Sequence, residues 1–131
     1  MALNPNMKTI VIDDMMTMRK ILIKMLKSIG FTNIDEADDG ATAWPMIEEA
    51  AKKGEPYEFI VSDWNMPKMS GLDLLIKIRA TEGIKTTPFL MVTAEAEQSN
   101  VIKVVQAGVS NFVVKPFTPD TLKGKIAKIF N

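Results

Sequence analysis

The chain has 131 residues, 47% of them hydrophobic, with 16 basic and 16 acidic side chains. That length and apolar content suit one compact domain, and the balanced charge leaves no net field to gather nucleic acid or an anionic membrane. Cysteine and histidine are both absent, which excludes disulfides, thiolate metal sites, imidazole general bases, the usual serine and cysteine hydrolase triads and phosphohistidine chemistry on this chain.

Residues 1–7, "MALNPNM", read as a flexible tail ahead of a single domain over residues 8–131. They hold no long apolar run, and the later run at 21–29 is interrupted by Lys24 and Lys27, so neither a signal peptide nor a membrane span is expected and the localisation is read as cytoplasmic. "KTIVI" (8–12) then gives a short β-branched strand, followed by "DD" and a helix in which Met18, Ile21, Leu22, Met25, Leu26 and Ile29 recur at helical spacing before Gly30 stops it. The couplet repeats. A weak strand near 33–37 precedes a helix from about Ala41 to Lys53, and "YEFIVS" precedes one beginning near Ser70. "PFLMV" (88–92) precedes a helix from about Ser99 to Ala107, and "FVV" precedes one from about Pro119 to Phe130. Ser70 with Asp73 has capping-box spacing, and Thr118 before Pro119 reads as an N-cap followed by proline in the first turn. Pro45 removes a backbone donor early in its helix, which predicts a late start or a bend.

Five strands alternating with helices of 10 to 15 residues predict an α/β fold, a (βα)5 doubly wound parallel sheet with near-continuous apolar strands buried on both faces. No glycine fingerprint follows the first strand and no P-loop occurs, so the common nucleotide folds lose their support. In the flavodoxin-like order 2-1-3-4-5 the strand order reverses between strands one and three, and ligands bind at the carboxyl ends there. Every strand except the weak second one is followed by a polar residue at that edge: Asp13 and Asp14, Asp63, Thr93 and Lys115. Singly, each has an ordinary reading as a cap, a turn residue or a solvated charge. Jointly they need a common explanation. Two carboxylates about 4 Å apart repel by roughly 4 kcal/mol at an effective dielectric of 20, so such a cluster calls for a cation or a proton. All-oxygen donors select a hard divalent ion, and Mg2+ with retained waters suits two or three carboxylates open to solvent. One carboxylate is then placed to act as a nucleophile towards a phosphoryl group, with Lys115 offsetting charge and Thr93 donating a hydrogen bond.

"IDD" at 12–14, "SDWNMP" at 62–67, "TAEA" at 93–96 and "VVKPFT" at 113–118 together resemble the receiver domain of two-component response regulators, and most closely its stand-alone chemotaxis members. The resemblance spans residues 8–130. It implies Asp63 as phosphoacceptor, Mg2+ held by Asp14, Asp63 and the backbone carbonyl of Asn65, and Asp13 as outer support of the metal. It further implies Thr93 as the switch hydroxyl, Lys115 as the phosphate-binding cation, a cis bond before Pro116, and Asn65 and Glu95 as tuners of phosphoryl lifetime. The implied donor is a phosphohistidine on a CheA-like histidine kinase. The implied output surface is the face of the fourth helix, fifth strand and fifth helix, including Phe112, Lys125 and Lys128, read by a FliM-like flagellar motor switch protein, with a phosphatase as a further partner.

Three features depart from the chemotaxis pattern. Phe112 replaces the usual tyrosine, so its ring can turn inward behind Thr93 but has no hydroxyl to bond in either state. "AEAEQSN" after Thr93 is more acidic than the lysine-bearing version associated with motor binding. "MMTM" at 15–18 sets soft side chains beside the acidic cluster, where packing of the first helix is the ordinary reading. The sequence therefore predicts a monomeric, phosphorylation-driven switch whose output is a binding surface, since no effector domain is expected. It acts on itself and is no enzyme of external substrates. Three alternatives stand beside it: a phosphate sink or non-motor regulator, a receiver that no longer takes phosphate, and a Mg2+-dependent phosphatase of external substrates. The last would want Asp-x-Asp where this chain has "DWN".

Overall fold

A computed structural model describes residues 4–94 and 98–130. Ten elements alternate: β1 (Thr9–Ile12), α1 (Met16–Ile29), β2 (Ile34–Ala37), α2 (Gly40–Lys52), β3 (Phe59–Asp63), α3 (Gly71–Arg79), β4 (Phe89–Thr93), α4 (Gln98–Gln106), β5 (Asn111–Val114) and α5 (Pro119–Ile129). The strands form one parallel sheet, as the alternating pattern predicts, and their order is the flavodoxin-like β2-β1-β3-β4-β5.

Side chains alternate across this sheet, and two cores result. Ile10, Ile12, Ile60, Phe89 and Met91 face Ala43 and Ile47 of α2, Leu74, Leu75 and Ile78 of α3, and Val104 of α4. Val11, Phe59, Val61, Leu90, Val92 and Val113 face Leu22 and Leu26 of α1 and Leu122 and Ile126 of α5. Every residue of β1, β3 and β4 is buried, whereas the edge strands β2 and β5 are only partly covered. At about 1.5–3 kcal/mol for each fully buried large aliphatic side chain, the three central strands are fixed in register by packing on both faces.

The helix boundaries follow their caps. Gly30 ends α1 at φ +123°, a conformation glycine adopts at little cost. Ser70 Oγ accepts from Asp73 N at 3.1 Å, and Thr118 Oγ1 accepts from Thr121 N at 3.1 Å behind Pro119. Two expectations are corrected. Pro45 does not delay α2, which begins at Gly40, because Asp39 and Thr42 complete a capping box that secures the start. The tail reading of residues 1–7 also fails where the structure describes it. Met7 N bonds the Asn4 carbonyl at 3.0 Å, Thr32 N bonds the Pro5 carbonyl at 3.0 Å, and Met7 is buried in the α1–α5 core. A thioether of that size gains more from filling this core than from solvent.

Among the described residues no helix is long and apolar enough to cross a membrane.

Candidate functional site

Parallel strands place all their carboxyl ends on one edge, and four of the five deliver a reactive side chain there. Asp13 follows β1, with its N–H on the Ala37 carbonyl of β2 at 3.2 Å. Asp63 ends β3 opposite Val92, and Thr93 ends β4 opposite Val114. Lys115 follows β5, with its N–H on the Thr93 carbonyl at 2.7 Å. The ladder itself therefore fixes the four backbone positions to within one residue. Arg19 of α1 reinforces the first: Nη1 donates to the Asp13 carbonyl at 2.8 Å, and Nε pairs with Glu36 of β2 at 2.6 Å.

The side chains converge. Carboxylate oxygens of Asp13, Asp14 and Asp63 lie within 4.8 Å of one another. Asp13 and Asp63 are buried while Asp14 is exposed. Lys115 Nζ stands 3.2 Å from Asp63 Oδ1 and 3.6 Å from Asp13 Oδ2. Asp13 Oδ1 accepts from Met15 N at 2.9 Å, whereas Asp13 Oδ2 is buried and has no hydrogen-bond partner. One ammonium thus pairs with two of the three clustered carboxylates. Burial raises the Asp13 carboxyl above its ordinary value of 3.8 even though Met15 N–H and Lys115 pull the other way. Burial, and then the neighbouring Asp13 charge, raises Asp63 as well. At separations near 4–5 Å and an effective dielectric of 20, each carboxylate pair repels by roughly 3–4 kcal/mol.

This donor set fits a hard divalent cation. It offers only oxygen, it carries surplus negative charge, and one buried oxygen has no hydrogen bond where one is the rule. Asp13, Asp14 and Asp63 would hold the ion, with Asp14 on the solvent side.

Thr93 is buried at the end of β4, beside the strand that ends in Asp63. The Lys115–Pro116 bond is cis, as expected. Asn65 is exposed in the loop between β3 and α3. Phe112 is half-buried on β5, paired with Met91, and Lys125 Nζ lies 5.3 Å from its ring centre. Asn111 Nδ2 bonds the Lys125 carbonyl at 3.1 Å and ties α5 to this strand. Lys128 is exposed further along α5. The structure therefore brings Asp13, Asp14, Asp63 and Lys115 together, and sets Phe112 and Lys125 as a separate contact on the far edge. Glu95 lies outside the described residues.

Sequence reasoning missed three residues that shape the site. Gly71 is one: a Cβ there would stand 2.2 Å from the Asp63 carbonyl and 2.9 Å from Met91 Sδ, so only glycine lets α3 begin against the acceptor strand. Arg19 is the second; nothing in an exposed-looking "MRK" signals its bond to the Asp13 carbonyl. The third is Asp39, whose capping-box spacing to Thr42 was legible but whose bonds to Lys68 and Met69 were not.

The comparisons with known proteins agree with this geometry. The family model described as "Response regulator receiver domain" matches residues 9–127. The chain is 53% identical over 128 residues to chemotaxis protein CheY-3 of Vibrio cholerae, covering 98% of this chain and 95% of that protein. It is 52% identical over 124 residues to chemotaxis protein CheY of Pseudomonas aeruginosa, covering 95% and 96%. Among solved structures, chemotaxis response regulator CheY4 of Vibrio cholerae superposes with a TM-score of 0.83 at 28% identity, covering 95% of this chain and 98% of that one. The chain belongs to the response regulator receiver domain family and is a homologue of the CheY chemotaxis regulators.

Proposed function

We propose that Asp63 accepts a phosphoryl group from a phosphohistidine on a CheA-like histidine kinase and that the phosphorylated form changes partner binding. The observation that carries this reading is the buried Asp63 carboxylate held 3.2 Å from Lys115 and flanked by two further aspartates. An Asp63 oxygen attacks phosphorus while the donor P–N bond breaks, leaving an acyl phosphate here and a free imidazole on the kinase. Lys115 meets the charge on the phosphoryl oxygens, and the Thr93 hydroxyl offers them a hydrogen bond. Mg2+, when bound through Asp13, Asp14, Asp63 and the Asn65 carbonyl, supplies charge neutralisation at the phosphoryl oxygens. Hydrolysis by water returns the carboxylate and inorganic phosphate. The chain thereby catalyses only its own modification, and Asn65 with Glu95 sets its lifetime.

Output follows from the added charge at Asp63. Thr93 moves towards it, space opens behind β4, and Phe112 turns inward, shifting a pre-existing equilibrium on the α4-β5-α5 face that includes Lys125 and Lys128. The partners in this reading are the kinase, a phosphatase and a FliM-like motor switch protein, met by a monomer in the cytoplasm. A phosphate-sink role is the second reading, favoured by Phe112: its ring is held under Lys125 and has no hydroxyl to bond. Retention of a flagellar switch component by phosphorylated protein alone supports motor binding; retention of none supports the sink.

The test is intact-mass spectrometry after exposure to Mg2+ and a small acyl phosphate donor. One phosphoryl group is expected on the wild type and none on Asp63→Asn. Equal modification of both proteins overturns the assignment.

A further inference from the structure

The loop that carries Asn65 is gripped in two places. At its base, Gly71 N–H donates to the Trp64 carbonyl at 2.9 Å. At its far end stands Asp39, which comes from the turn between β2 and α2. Asp39 Oδ1 accepts from Met69 N at 2.9 Å, and Oδ2 accepts from Lys68 N at 3.1 Å. Oδ1 also caps α2 through Ala41 N at 2.9 Å. Gly40 N–H adds a bond to the Met69 carbonyl at 3.2 Å. A Cβ on Gly40 would stand 2.5 Å from that same oxygen, so the turn is seated against the loop with no room for a side chain.

A helix cap alone needs one acceptor facing its own N-terminus. Asp39 directs two of its three bonds elsewhere, and it is 4% exposed. A carboxylate buried to that degree survives only if N–H donors surround it. Burial by itself would raise its pKa, yet the N–H groups of Ala41, Met69 and Lys68 and the Lys68 charge hold it below the usual value. β2 and β3 are separated by β1 in the sheet. Asp39 therefore joins two loops that flank the strand supplying Asp13 and Asp14, and it restrains a segment that begins one residue after Asp63.

We propose that Asp39 is a positioning residue of the phosphoryl site: by fixing residues 68–69 it holds the Trp64–Asn65 segment in the shape that presents the Asn65 carbonyl to a cation. The inference rests on the functional reading above. In physical terms Asp39 removes loop freedom before the cation arrives, so that less ordering accompanies binding.

The experiment uses Trp44→Phe as background, which leaves Trp64 as the sole tryptophan of the two, and compares Asp39→Ser and Asp39→Asn within it. Serine can still cap α2 but is too short to reach Lys68 and Met69. Asparagine keeps an Oδ1 acceptor for Ala41 and Met69 and loses the acceptor for Lys68. Mg2+ titration through Trp64 emission is expected to give about tenfold weaker binding for Asp39→Ser, the scale set by outer partners of metal ligands, with Asp39→Asn in between. Phosphoryl incorporation should fall at low Mg2+ and recover towards wild type at saturating Mg2+. Amide exchange should quicken at Lys68 and Met69 while Ala41 stays protected. An Asp39→Ser protein that binds Mg2+ within twofold of wild type overturns the inference, as does a deficit that Mg2+ does not relieve and that follows thermal stability. A flat wild-type titration overturns the functional reading together with the inference; a responsive wild type with an unaffected Asp39→Ser overturns the inference alone.

Discussion

The two ends of one sheet treat their polar groups differently. At the amino end the Tyr57 hydroxyl donates to Asp35 at 2.6 Å, Lys8 Nζ donates to the Glu55 carbonyl at 2.9 Å, and Glu58 accepts from Lys8 N at 3.1 Å. The Lys8 ammonium also lies 4.7 Å from the Tyr57 ring centre. Burial and the Asp35 carboxylate push the Tyr57 phenol well above its ordinary range, so it stays neutral. At the carboxyl end three carboxylates cluster, one lysine pairs with two of them, and Asp13 Oδ2 is buried without a hydrogen bond. The amino end is closed chemistry that holds the fold. The carboxyl end retains surplus negative charge, which a divalent cation would neutralise.

Removing the single ammonium should break the carboxyl end most severely. Lys115→Met is expected to slow phosphoryl incorporation about 100-fold or more, the cost of losing one charge-stabilising donor. Its Mg2+ affinity should rise, because a competing cation has gone. Mass gain over time and Trp64 emission measure the two effects, and parallel losses in both would contradict the division of roles.

Gly71→Ala should cost about 2–3 kcal/mol in chemical unfolding, at the upper end for overpacking, because the atom the new Cβ would meet belongs to the Asp63 backbone itself. A neutral outcome would mean that α3 slides freely away from the acceptor strand.

Protonation gives a subtler contrast. Asp13 and Asp63 have folded pKa values raised above 3.8, chiefly by burial. The folded protein thus holds these protons more firmly than the unfolded chain. Their contribution to the metal-free fold is undiminished below pH 3.8 and is lost as pH climbs through the raised values. Glu36 and Asp39 shift the opposite way, so the informative quantity is a difference between proteins. Asp13→Asn should melt several degrees above wild type at neutral pH without Mg2+, and the gap should shrink both on acidification and on adding Mg2+. Melting curves across pH, with and without the ion, decide it.

The smallest effect belongs to the amino end. Tyr57→Phe should cost about 1 kcal/mol, the usual net value of a hydrogen bond. Mg2+ affinity should not change. A Mg2+ phenotype for this variant would erase the contrast between the two ends.

Much of this arrangement was legible in the sequence because it rests on periodicity and chain order. "IVSD" and "MVT" read as buried strands ending in polar residues, and a parallel sheet puts such endings on one edge. Boundaries fell within one or two residues wherever a cap spoke for itself, as with Gly30 and Thr118. What escaped depends on contacts between segments distant in sequence. Met7 looked like tail because nothing local reveals the α1–α5 core that receives it. The late start expected from Pro45 did not occur, because the local rule for proline ignores how firmly Asp39 and Thr42 start the helix. Asp39 went unremarked, since its bonds to residues 68–69 span about thirty positions and leave no periodic trace. Gly71 likewise follows a serine cap in an ordinary way, and only the approach of the Asp63 carbonyl shows why it must be glycine.

The central claim concerns which carboxylate is modified. After exposure to Mg2+ and a small acyl phosphate donor, borohydride reduction converts an acyl phosphate on aspartate into homoserine, which peptide mass mapping locates. Homoserine at position 63 alone is the predicted result. Homoserine at 13 or 14, or at no aspartate despite a gain in intact mass, would contradict the account.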